Sequence, residues 1–90
     1  MSNQLSLPES LTIQNVQAEY TRLGEALLGL EGGITLQADQ VQNVDTAGLQ
    51  LLVAFVTRVQ REGQALTWQD PSDSLIKNAE NLGLTEFLQL

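Results

Sequence analysis

The sequence contains no cysteine and no histidine. Their absence excludes disulfides, thiolate nucleophiles, zinc–thiolate centres and imidazole acid–base catalysis. Basic residues are scarce as well, four Lys and Arg against eleven Asp and Glu, for a formal charge of −7. A chain so charged lacks the basic patch that displaces counterions, which argues against nucleic acid or an anionic membrane as a direct partner. No apolar run approaches the length of a membrane span. The opening residues, Met1 to Leu5, lack the charged and apolar regions of a signal peptide. A cytoplasmic location is therefore the expectation. The acidic residues form no run, so they read as a solvated surface that attracts basic partner surfaces at low salt.

What is present fits one folded domain over residues 1–90. An apolar content of 42% is that of a globular protein, and ninety residues supply one modest core. Leu5–Pro8 and Leu11–Ile13 read as short strands around a turn, with Pro8 suiting a sheet edge. Val16, Tyr20, Leu23, Leu27 and Leu30 recur at helical spacing and predict a helix over about 14–30, stopped by Gly32-Gly33. Alternation predicts strands at 34–38 and 65–69. Helices are expected at 46–62, ending at Gly63, and from Asp70-Pro71-Ser72 to Gly83, with a last helical turn at Thr85–Leu88. Strands alternating with helices imply an α/β domain with a largely parallel sheet.

The most informative stretch is Val44-Asp45-Thr46-Ala47-Gly48-Leu49, where a strand signal gives way to the strongest helix signal. Free N–H groups and the helix dipole favour negative charge at such a start. Asp45 and Thr46 are good N-cap residues, and capping with close packing at Gly48 would account for them without any further role. A hydroxyl there would also hold an added phosphate in a favourable field. The 46–62 helix is apolar on more than one side. With Leu49, Leu52, Val53, Val56 and Val59 facing the core, Leu51 points almost opposite, Phe55 lies on the flank and Ala54 adds to the outer side. Either a neighbouring helix buries these residues, or Leu51 and Phe55 form a partner-binding patch rimmed by Arg58. Asp39 and Asp45 have no third ligand or base near them in sequence and read as solvated or capping carboxylates. Gly32-Gly33 lacks the spacing of a phosphate-binding loop. Trp68 reads as core or half-buried packing. Nothing in this pattern supports enzyme chemistry, although carboxylate chemistry is not eliminated.

The ordered landmarks resemble the STAS family, the domain of anti-sigma factor antagonists and sulphate-transporter tails. They are Val41 and Val44 before Asp45-Thr46-Ala47-Gly48-Leu49, the apolar helix, Glu62-Gly63-Gln64-Ala65-Leu66, Asp70-Pro71-Ser72, and Leu82-Gly83-Leu84-Thr85-Glu86-Phe87. Together they cover roughly the whole chain. The resemblance implies an α/β fold, a small mixed and mostly parallel sheet packed with about four helices, and no cofactor. It implies a non-enzymatic protein–protein interaction module with Asp45, Thr46, Ala47, Gly48, Leu51, Phe55 and Arg58 at the partner surface. Regulated members are phosphorylated on the residue after the aspartate, here Thr46; the neighbouring position, often serine, is Ala47, leaving one hydroxyl. An anti-sigma factor antagonist would bind a serine/threonine kinase-type anti-sigma factor until phosphorylated, and ATP would belong to that kinase. The alternatives are a constitutive STAS subunit of a phospholipid-transport ABC system, docked on its ATPase subunit, and a chemotaxis-associated adaptor. The same apolar patch could also pair two copies as a homodimer.

Overall fold

The computed structural model describes residues 4–29 and 32–90. The chain runs β1 (Gln4–Ser6), β2 (Ser10–Leu11), α1 (Val16–Leu28), β3 (Ile34–Gln37), β4 (Asn43–Val44), α2 (Thr46–Arg61), β5 (Leu66–Gln69), α3 (Asp73–Asn81) and α4 (Thr85–Leu88). The expected mostly parallel sheet divides into two small ones. One has the order β1-β3-β5, the other pairs β2 with β4, and every pairing among the described residues is parallel. β1, followed closely by Pro8, is an edge strand as its proline suggested. The two expected N-terminal strands are not partners of each other, because each finds its neighbour later in the chain.

Alternation explains β3 directly: Ile34 and Leu36 are buried, while Thr35 and Gln37 lie on the other, half-buried face. Helix starts and stops follow local chemistry. The Ser72 hydroxyl accepts from the Leu75 N–H at 3.1 Å to cap α3. α2 and α3 both end on a glycine with positive φ, Gly63 (74°) and Gly83 (68°). In each case the next residue's N–H returns to a carbonyl of the final turn, Gln64 to Val59 and Leu84 to Ala79. α1 departs from expectation. It ends at Leu28 with Gly29 as its C-cap, three residues before Gly32-Gly33, and the Leu30 position of its stripe lies outside the described residues. Trp68 is half-buried and its indole N–H donates to the Leu88 carbonyl at 2.7 Å, tying α4 to β5.

α2 is the hub of the core, packing against α1, α4, β2, β4 and β5. Its neighbours correct the reading of its outer side. Leu51 is 6% exposed and Phe55 0% exposed; both belong to the core cluster and neither forms a surface patch. The physical reason is α1, which runs beside α2 in the same direction. It brings Val16 and Tyr20 alongside Leu51 and Ala54, and sets Gly24 against Arg58. The buried arc of α2 therefore extends from Leu49 round to Leu51, about 160° of the helix, rather than a narrow stripe. Val53, placed in the stripe by spacing, is only half-buried.

Phe55→Ala is expected to cost about 4 kcal/mol in urea denaturation, the range for emptying a packed aromatic site. Phe55→Asp and Leu51→Asp should fail to fold, because each buries an unpaired carboxylate. A folded Phe55→Asp variant with native circular dichroism would contradict this packing.

Candidate functional site: the start of helix α2

The Asp45–Leu49 stretch occupies the joint between β4 and α2, and its residues divide sharply by role. Asp45 is the N-cap of α2. One carboxylate oxygen accepts from the Gly48 N–H at 2.9 Å. The other accepts from the Ile13 N–H at 3.0 Å, in the turn leading to α1. The Asp45 N–H in turn donates to the Leu11 carbonyl at 3.2 Å. One side chain thus fastens the approach to α1 onto the first turn of α2. Hydrogen bonds from Ile13, then Gly48, favour the charged form and lower the Asp45 pKa below the usual aspartate value, outweighing a smaller opposing effect of desolvation.

Gly48 is buried where α2 meets β2. A Cβ there would overlap the Leu11 carbonyl oxygen and lie 2.8 Å from its carbon, both backbone atoms that cannot swing away. Its φ is not positive, so the requirement is for space rather than for backbone freedom. The turn between β2 and α1 is braced by Asn15, which does not cap α1 with its side chain. Its Oδ1 accepts from the Thr12 N–H at 2.8 Å, and its Nδ2 donates to the Ser10 carbonyl at 2.7 Å.

Thr46 and Ala47 are left to face outward. Thr46 is exposed in the first turn of α2, and its hydroxyl makes no hydrogen bond among the described residues. Ala47 lines a groove between α1 and α2, with Ile13, Val16, Gln17 and Tyr20 on one wall and Gln50 and Ala54 on the other. Leu51 forms part of its lining but is too buried to project from it. The groove measures about 380 Å³ and has no charged side chain in its lining. Ile13, expected in a strand, instead stands 71% exposed at the groove's edge. Asp39 is exposed in the turn after β3 and is not brought to this site. Among the described residues no group of three or more acidic side chains is placed to hold a metal ion.

Arg58 is not at the rim of this patch. Twelve residues of helix put it about 18 Å from Thr46, at the far end of the same seam. There its guanidinium lies against Gly24 of α1, its Nε is 3.7 Å from a Glu62 carboxylate oxygen, and Tyr20, Thr57 and Arg61 stand beside it. Ile13, Tyr20, Gln50, Gly24 and Arg61 were not picked out from the sequence as site residues. Gly24 carried a signal, since a glycine inside an apolar helical stripe costs about 1 kcal/mol relative to alanine and so points to a packing demand.

A family model described as Mlab, STAS domain, matches residues 2–90. The chain belongs to the STAS domain family. Among solved structures, the sulfate transporter family protein from Wolinella succinogenes matches with a TM-score of 0.76 over 97% of this chain and 70% of that one. The identity is 20%, so that likeness concerns the fold alone. The chain matches none of the curated proteins. In this STAS domain, then, Asp45 and Gly48 build the joint, whereas Thr46 and Ala47 are presented by it.

Two measurements check that division. Gly48→Ala should destabilise the domain by about 3 kcal/mol, since backbone must move to admit the methyl group. For Asp45, the folded-state pKa is depressed, so its contribution is present above the unfolded value of about 3.9 and is lost as pH falls through the folded one. The urea midpoint of the wild type should exceed that of Asp45→Asn at pH 7, and the gap should close towards pH 3. A gap that stays constant with pH would show that the charge of Asp45 has no part in the clamp.

Proposed function

We propose that this STAS domain is a non-enzymatic adaptor that docks on a protein partner through the exposed start of α2, and that it is a constitutive cytoplasmic subunit of a phospholipid-transport ABC system. The observation that carries the reading is the exposed Thr46 hydroxyl beside an uncharged groove, on a turn held rigid by Asp45 and Gly48. A rigid, partly apolar surface loses little entropy on docking, which suits a permanent contact. The groove's lining carries no carboxylate, amine or guanidinium, which offers little for acid–base or nucleophilic chemistry. The match to the Mlab STAS model supports a STAS-type module, the class to which such a transport subunit belongs. The partner would be the system's ATPase subunit, with ATP bound by that subunit.

A second reading, an anti-sigma factor antagonist, draws on the same hydroxyl. Phosphorylation of Thr46 would add close to two negative charges at a helix N-terminus that stabilises them, so the fold would survive. A kinase-type partner seated over that turn would meet repulsion and a desolvation cost, and would be released.

Affinity capture from native cells with wild type, Thr46→Ala and Thr46→Glu, followed by mass spectrometry, separates the readings. The transport reading expects a transporter ATPase with the wild type and no phosphate on Thr46. Recovery of a serine/threonine kinase-like protein by wild type and Thr46→Ala, but not by Thr46→Glu, would replace it with the switched antagonist. Equal capture by all three variants would remove Thr46 from the interface.

A further inference from the structure

The groove at Thr46 does not end at Ala54. Tyr20 and Ala54 also line the next recess along the α1–α2 seam, with Thr57, Arg58 and Arg61. Tyr20 reaches a third, where Gly24, Glu25, Leu28 and Arg58 meet. Of the four exposed large apolar side chains among the described residues, two, Ile13 and Leu28, line the two ends of this trough. Along α2 it runs from Ala47 to Arg61, about 21 Å or four helical turns.

Its charge is unlike that of the rest of the surface. A chain with only four basic residues sets two of them side by side at one end of a trough whose other end, at Ala47, has no charged lining. Arg61 makes no ion pair among the described residues, and Arg58 has only the 3.7 Å contact to the exposed Glu62, with Glu25 also nearby. Arg58 is half-buried and seated. An alanine methyl at position 24 would lie 2.6 Å from its Nη1, so α1 carries a buried glycine just where the guanidinium crosses it.

We infer that the docking partner inserts an amphipathic helix into this trough, with its apolar stripe against Ile13, Val16, Tyr20 and Ala54 and an Asp or Glu received by Arg58 and Arg61. The trough's walls are helices whose backbone groups are already paired, so an extended peptide would find no ladder to join, whereas a helix satisfies its own backbone. Apolar anchors three and four residues apart match such a trough. The arginine pair sets the direction and register of the incoming helix, since a carboxylate is a good partner for a forked guanidinium. A net charge of −7 disfavours an anionic lipid surface as the occupant.

The inference rests on the docking role proposed for this face, and one experiment separates the two. A small diazirine-bearing amino acid is placed at Thr46 or at Ala54 in the full chain, crosslinked in native cells, and the partner peptides are sequenced. Both positions should crosslink one partner, Ala54 to an amphipathic segment carrying Asp or Glu. Arg61→Glu should weaken binding of that purified partner about tenfold, and a charge reversal of the partner's acidic residue should restore it. Crosslinking from Thr46 alone leaves the docking role standing and overturns the trough. A second copy of this chain at Ala54, a segment without acidic residues, or unchanged affinity in Arg61→Glu also overturns it. No crosslink from either position overturns both. Gly24→Ala guards against loss through misfolding: it should raise Tm by about 4 °C while displacing Arg58 and weakening the partner about threefold. A stabilised Gly24→Ala protein with full affinity removes Arg58 from the site.

Discussion

The close approach of α2 to the β2 backbone is the constraint from which the rest of this domain follows. Nothing larger than a hydrogen fits between the start of the helix and the Leu11 carbonyl, and Gly48 provides that fit. The same carbonyl accepts the Asp45 N–H, while the Asp45 carboxylate reaches on to Ile13. Strand, turn and helix are thereby locked at one point. Since α2 touches both helical neighbours and three strands, fixing its first turn fixes the hub around which the core assembles. The turn that Asp45 grips leads directly into α1, so the joint also sets α1 alongside α2 with the two N-termini at the same end.

That arrangement divides a five-residue motif between two purposes. Asp45, Gly48 and Leu49 face inward or are spent on backbone groups; Thr46 and Ala47 are held outward by them. A threonine with no side-chain hydrogen bond among the described residues adds nothing visible to the cap, which Asp45 already supplies. On the reading proposed above, its position serves a contact outside the chain. In the proposed docking, the groove would add area without adding charge, so complementarity of shape would dominate near Thr46 and charge only at the distant arginines.

The larger elements were legible because their signals are local. Period-two alternation marked β3 and β5, apolar spacing marked α1 and α2, and glycine stops marked the ends of α2 and α3. The β2–β4 pair was not legible as a sheet, since strands of two residues carry too little pattern and pair across more than thirty positions. Leu51 and Phe55 were ambiguous for a tertiary reason. A helix's own sequence shows that a second flank is apolar, but whether another helix covers it depends on where that helix packs. The choice between burial and a surface patch was identified correctly and could be decided only by the position of α1. The groove escaped notice for the same reason, with one wall drawn from residues 13–20 and the other from residues 47–54.

The parallel setting of α1 and α2 also bears on how this surface could be regulated. Two helices side by side in the same direction place the positive ends of both dipoles near Thr46. At the opposite end, Arg58 and Arg61 lie in the last turn of α2 and offset its negative end. An anion beside Thr46 therefore enters a field that stabilises it, despite the neighbouring Asp45 and a net charge of −7. If that face docks a partner as proposed, a phosphate there would act on the partner's side of the contact, by adding charge to a surface the partner has to desolvate, because the domain beneath has no reason to unfold. A constitutive subunit and a switched antagonist could then share this scaffold unchanged, and would differ in whether a kinase reaches the one hydroxyl that the joint leaves free.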